Sequence, residues 1–245
     1  MKKIFLLLSL MALILNSCFK AEKGRLVSRI DFEGMDYTFK FEYDAKNRII
    51  KTSVDDAYAN YTYPSAKTIV ITKNTGDVDT LTLNKEGNVV SAVYNKDNTT
   101  TYTYFNGFLT KIETVGGRSN HTSTLTWDNG NIRTIGSSSS NSWETYTFEY
   151  DSTLNKSTSL DIFFLAAGNI KIKGDLSFGL FGKSCQYLPS KVMFKDKYRF
   201  GASDNTYVTT YRYETDSDGY VTNIYVKDER SHDAEERLRY IIEYK

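Results

Sequence analysis

Two histidines occur in the chain, His121 in SNHTST and His232 in RSHDAEER. Neither has a second His or a Cys at ligand spacing, so a zinc site is not expected. GRSNH lacks the flanking glycines of a nucleophile elbow. No Ser-His-acid order is written locally, although either His could meet a Ser in space. Three acid pairs remain, Asp55 with Asp56, Asp77 with Asp79 and Asp216 with Asp218. Paired carboxylates cleave glycosides when they face one another roughly 5 to 9.5 Å apart across a cleft. In hairpin turns, however, Asp bonds its own backbone two residues on and acts as a turn former, and these pairs read that way. TDSDGY lacks the further ligands and the distal Glu of a calcium loop. The reading is therefore no catalytic residues, no metal and no cofactor.

Trp127 and Trp143 are the candidates for ligand binding. An indole plane covers the apolar C–H groups of a sugar ring while polar neighbours take its hydroxyls. The competing reading makes both of them core or cross-strand residues, since aromatic cross-strand pairs are ordinary sheet stabilisers. Cys185 reads as a small core residue, because free Cys usually packs as a hydrophobe.

Cys18 carries different chemistry. MKKIFLLLSLMALILNSC has Lys2 and Lys3 before an apolar run, Ile4 to Leu15, that is too short to span a bilayer. A small residue, Ser17, precedes Cys18 directly after that run. The stretch resembles a bacterial lipobox, which implies a signal peptide over 1–17, lipidation of Cys18 and an anchor or linker over 18–27. Each buried methylene of an acyl chain contributes roughly 0.8 kcal/mol, and more than one chain holds firmly. The expected location is the outer membrane, lipid-anchored, on its periplasmic or surface face.

Composition limits the remaining partners. The chain has 31 basic and 30 acidic residues, and loss of residues 1–17 removes two lysines, leaving 29 and 30. A near-neutral body gives no reason to expect nucleic acid. With Cys18 lipidated, Cys185 has no intramolecular disulfide partner.

The elements that would position any site come from a repeat. The residue leading into each polar turn recurs at Tyr43, Tyr63, Leu83, Tyr104, Trp127 and Tyr150, in steps of 20, 20, 21, 23 and 23. A seventh copy, TDSDGYVT, lies at 215–222. Before the first turn, Tyr37, Phe39, Phe41 and Tyr43 alternate with Thr38, Lys40 and Glu42, the period of a strand with one apolar face. Asn106-Gly107 and Asn129-Gly130 are hairpin turn pairs. A period near 21 is two strands and two turns, so the copies make an antiparallel β-meander. The fold class is all-β, about 14–16 strands curled into a barrel or half-barrel over 28–245. The alternation stops between Tyr150 and Val192, where short helical turns are expected at Leu160–Ala167 and Leu176–Phe181, within an insertion near 155–190 that folds over an end of the sheet or plugs its opening.

FEYDAKNRI and FEYDSTLNK resemble the tyrosine-aspartate (YD, RHS-like) repeats of bacterial shell proteins, a likeness of local geometry. The order of meander, YDSTLNKS, insertion, YLPSKV and closing hairpins is similar to an uncharacterised Bacteroides-type lipoprotein family, a domain of unknown function with porin-like fold. That resemblance covers about 25–245 and implies a many-stranded barrel behind a lipoprotein signal. It implies no activity and no site residues. A lipid-spanning barrel would need longer strands with an outward apolar band, whereas these carry Lys, Glu, Asp and Thr on one face. The functional expectation is a non-catalytic, lipid-anchored envelope protein binding an extracellular ligand such as a glycan or a protein partner. The alternatives are a structural or assembly component of the envelope and an unrecognised hydrolase.

Overall fold

The computed structural model describes residues 24–34, 36, 38–94, 98–116, 120–139, 142–157, 180–198, 205–229 and 235–245. The strands are β1 (Val27–Phe32), β2 (Thr38–Tyr43), β3 (Ile49–Val54), β4 (Ala57–Ser65), β5 (Thr68–Lys73), β6 (Val78–Leu83), β7 (Val89–Tyr94) and β8 (Asn98–Phe105). They continue as β9 (Phe108–Gly116), β10 (His121–Asp128), β11 (Asn131–Ser139), β12 (Ser142–Leu154), β13 (Tyr187–Tyr198), β14 (Asn205–Thr215), β15 (Val221–Asp228) and β16 (Arg237–Tyr244). Each strand pairs antiparallel with its sequence neighbours, and β16 pairs with β1 to close the barrel. The expected meander is thus present, and closure decides against a half-barrel, leaving no unpaired sheet edge. No helix occurs among the described residues. Leu160–Ala167 lies outside them, as do the first four residues of Leu176–Phe181; Leu180 and Phe181 are non-helical.

Alternation decides what faces in. On β2 Phe39, Phe41 and Tyr43 turn to the core while Lys40 and Glu42 stand exposed. The same phase puts Tyr61, Ile69, Ile71, Leu81, Ala92, Tyr102, Leu125, Ile135, Phe148, Val192, Ile224 and Ile242 inside, all buried. The outer wall is polar: Thr101, Thr103, Thr124, Thr126, Lys195 and Lys197 are exposed, and cross-strand ion pairs such as Lys191 to Glu149 at 3.0 Å lie along it. This is the reverse of a lipid-facing barrel, which keeps an apolar band outside.

The repeat has a physical cause at its turns. The acid after the aromatic is an Asx cap: Asp44 Oδ1 accepts from the N–H groups of Lys46 and Arg48, and Asp216 Oδ1 from those of Asp218 and Tyr220. Asn106 (φ 52°) and Gly107 (φ 82°) both adopt the left-handed region, as a two-residue hairpin that continues strand twist requires. Register shifts recur beside Tyr43, Leu83, Tyr104, Trp127 and Tyr150. Each such bulge adds local twist and bend, and repetition at one level supplies curvature for closure.

The leading aromatic of each copy closes a hydrogen bond across its hairpin. Tyr43 Oη donates to the Val27 carbonyl (2.6 Å), Tyr63 to Ile49 (2.8 Å), Tyr104 to Val89 (2.7 Å) and Tyr150 to Ile132 (2.7 Å). Tyr213 donates to Pro189 (2.6 Å) and Tyr244 to Val221 (2.8 Å). In the fifth copy Trp127 Nε1 does the same to Leu109 at 2.7 Å. Leu83 holds the equivalent place with no donor to offer. Burial raises these phenols above their usual range, Tyr63 to about 12.

Candidate functional site

The hairpins alternate between two ends of the barrel. The end that carries Gly24 and Lys245, with the turns after β2, β4, β6, β8, β10 and β14, is the floor; the opposite end is the mouth. Residues 180–186 strap the floor. The Leu180 carbonyl accepts from the Val89 N–H, the Lys183 N–H donates to the Gly107 carbonyl, and the Gln186 N–H donates to the Gly130 carbonyl. Phe181 packs on Tyr102 with ring centres 5.1 Å apart. The expectation that the insertion folds over one end holds for this part of it. Cys185, 3% exposed, turns inward from the strap against the Ile132 N–H and Tyr150 Oη.

The interior is layered along the barrel axis. One registered row across β10–β14 is Leu125, Ile135, Tyr146, Phe194 and Tyr207, with stacked ring pairs at 4.7 Å and 5.9 Å. The next row toward the mouth is Ser123, Ser137, Glu144, Asp196 and Asn205. Above it come Thr100, Thr114, His121 and Ser139. Hydrogen bonds stitch these rows: His121 Nε2 to Ser123 Oγ at 3.1 Å, Ser123 Oγ to Ser137 Oγ at 2.7 Å, Thr100 Oγ1 to Thr114 Oγ1 at 2.9 Å and Ser139 Oγ to Ser142 Oγ at 2.9 Å. Farther round, Lys73 Nζ lies 2.9 Å from Asp79 Oδ2, and Tyr94 Oη 3.0 Å from Tyr102 Oη.

Glu144 and Asp196 stand directly opposite each other on the inner face. Cβ atoms so placed are about 4.5–5.5 Å apart, and like charges there repel. Asp196 Oδ1 is buried and accepts no hydrogen bond from the described residues. A donor placed between the two carboxylates would relieve both conditions.

The mouth is also the acidic pole. Its described connections hold Glu33 and Asp36 after β1, Asp55 and Asp56 after β3, Asp77 after β5, and Glu229, Glu235 and Glu236 after β15, with no Lys or Arg among them. An open groove of about 430 Å³ on the rim is bordered by Asp31, Glu33, Asp36, Asp55 and Lys40. The described floor connections hold eight Lys and Arg against four acids. Among the described connections, a near-neutral chain thus gathers acids at one end and bases at the other.

The residues singled out from sequence are scattered by this geometry. Trp127 lies at the floor end of β10 with its ring 4.7 Å from Phe108 and its N–H committed to Leu109. Trp143, 46% exposed, is on the outer wall near the mouth, between Ser138 and Lys197. The two are not brought together. Cys18 lies outside the described residues, and so does His232. Asp55, Asp56, Asp77, Asp216 and Asp218 are in turns as expected, whereas Asp79 is not: it points inward, 1% exposed, onto Lys73. Among the described residues no cluster of three His, Cys, Asp or Glu side chains could hold a metal. His121 does meet a Ser, but β10 pairs on both sides at Ser123, so the adjacent backbone N–H groups belong to the sheet ladder and form no oxyanion hole.

The polar rows escaped the sequence reading, yet a signal existed. Glu144 shares the phase of Tyr146 and Phe148, Asp196 that of Phe194, and Ser123 that of Leu125 and Trp127. A charged or hydroxyl residue on the apolar phase of a strand is a buried polar group needing a partner.

A family profile described as a domain of unknown function (DUF4595) with porin-like fold matches residues 19–223. The chain belongs to that family. Its fold is shared with a porin-like protein from Bacteroides uniformis ATCC 8492, at 18% identity and TM-score 0.62, covering 89% of this chain and 98% of that one. A porin-like protein from Bacteroides vulgatus ATCC 8482 is similar at 15% identity and TM-score 0.63, covering 90% and 99%. No curated protein matches the chain. Membership in the family and the shared fold agree with an envelope location. The term porin-like describes strand topology; this wall turns its charged and threonine-rich face outward.

Proposed function

We propose that this member of the family is a non-catalytic, lipid-anchored envelope protein whose barrel mouth receives an extracellular, hydroxyl-rich ligand such as a glycan, or a protein partner. The observation that carries the reading is the segregation of inward-facing polar side chains into two registered rows at one end. Hydroxyls, an imidazole, two carboxylates and an amide there can accept from and donate to a polyhydroxy ligand, above the layer of Tyr146, Phe194 and Tyr207 rings. The Cys18 lipobox supplies the anchor, and the envelope location follows from it.

The test is a thermal-shift panel of saccharides on the mature chain beside the Glu144→Gln, Asp196→Asn variant. A ligand present at one hundred times its Kd stabilises the folded state by about 2.7 kcal/mol. A shift seen with the native protein and absent in the variant supports the mouth as the site. A panel that moves neither protein counts against the glycan version. One observation favours a hydrolase as the second reading: Glu144 and Asp196 oppose each other on the inner face, a two-carboxylate arrangement of the kind glycoside cleavage uses. Turnover of an envelope polysaccharide, abolished in either single variant, would replace binding by catalysis.

A further inference from the structure

We infer that the floor of the barrel is a lipid-docking surface, so that the protein stands upright on an anionic membrane face with its acidic mouth directed away. The inference rests on the anchoring at Cys18 and adds to it the surface that meets the lipid.

Three observations converge. The described chain begins at Gly24 on the floor, where Arg25 pairs with Asp216 (2.8 Å) and Asp218 across the β14–β15 turn. Ser157 Oγ donates to the Arg25 carbonyl, and Lys156 Nζ to that of Asp218. The Tyr220 N–H first, then that of Asp218 and the Arg25 guanidinium, hold the Asp216 carboxyl below its ordinary range, as expected of a formed clamp. The entry point of the tether is thus fixed to the floor. Second, the tether is short: residues 18–24 extend at most about 20 Å at 3.3–3.6 Å per residue. A floor-anchored barrel therefore stays near the headgroups, within a few Debye lengths of about 8 Å.

Third, charge selects the orientation. Lys46, Lys67 and Lys85 project from three separate floor turns, all exposed. The described mouth connections present carboxylates, which an anionic surface repels. Along the side wall lysines stand beside acids in cross-strand or same-strand pairs, Lys51 with Glu42 and Lys111 with Glu113, which weakens its pull on an anionic surface. A short tether could lay the barrel on its side; the lysines of three floor turns favour the upright contact.

Single-cysteine fluorophores test this on the lipidated, full-length mature protein in phosphatidylglycerol-containing vesicles with a headgroup quencher. Cys185 is buried and Cys18 acylated, so Ala66→Cys (floor) and Asp56→Cys (mouth) report separately. We expect several-fold stronger quenching at 66 than at 56. The contrast should collapse in Lys46→Gln, Lys67→Gln, Lys85→Gln and in about 0.5 M salt. Equal or reversed quenching overturns the docking surface while leaving the anchor intact. A contrast indifferent to salt and to the triple variant overturns it too, by leaving the tether as the sole cause. Protein that does not float with the vesicles overturns the anchor reading and this inference with it.

Discussion

Tyr104→Phe is the most informative single substitution in the repeat. It keeps the ring and removes one oxygen, so packing is conserved and only the 2.7 Å bond to the Val89 carbonyl is lost. Val89 is 0% exposed, which keeps water from replacing the donor. Removing one partner and leaving a buried acceptor unpaired costs about 1–3 kcal/mol. For a domain of this length each kcal/mol lowers Tm by roughly 2–4 °C, so a fall of about 2–12 °C is expected by calorimetry. Tyr58→Phe is the control: Tyr58 is 43% exposed on the outer wall, and such a change should stay within about 0.5 kcal/mol. Tyr213→Phe, across the barrel at the Pro189 carbonyl, should add to Tyr104→Phe, because distant rungs share no partners. If Tyr104→Phe is as silent as Tyr58→Phe, the tyrosine ladder is geometry without energy and the explanation of the repeat fails.

Other expectations follow from the same layers. Lys73→Met should destabilise by up to about 3–5 kcal/mol, less for the partial exposure of Lys73, by leaving Asp79 inside without its counter-ion. The double change to Met and Leu should recover most of that loss in denaturant titration. Alkali should unfold the barrel in a defined window. Burial pushes the Tyr63 phenol from its unfolded value near 10 up to about 12 and the deeper ladder phenols higher still, so the Tyr63 contribution is whole below pH 10 and is lost as pH rises through 12, with the others lost at higher pH. Absorbance at 295 nm and circular dichroism should then change together; phenol ionisation without unfolding would contradict it. At the strap, a Cβ on Gly182 would lie 2.5 Å from the Gly107 carbonyl oxygen, and φ is +85°, so Gly182→Ala should lower Tm and expose Cys185 to thiol reagents. Trp143→Ala should leave Tm within error, and retained binding of any saccharide hit would remove the outer-wall indole from the site.

Much of the fold is legible in the sequence because its causes are local. Alternation over six residues fixes which side chains share a face, Asn-Gly pairs fix where the chain reverses, and a period near 21 fixes that neighbours in sequence are neighbours in the sheet. Those facts give an all-β meander without long-range information. Closure needed β1 and β16, more than two hundred residues apart, to meet in register. It also needed bulges whose summed bend no single copy displays. The candidate site depended on the same closure. Glu144 and Asp196 lie far apart in the chain and oppose each other only because β12 and β13 pair across the insertion. Trp127, chosen from sequence for its chemistry, proves to hold a tyrosine's place in the ladder. The polarity of the barrel is likewise invisible in a composition of nearly equal charges, since which turns share an end depends on strand direction. Sequence determined the strand, the turn and the repeat, where the physics acts between near neighbours. Tertiary structure alone decided the inside, the mouth and the floor, because a surface enclosed by sixteen strands exists only once the last has met the first.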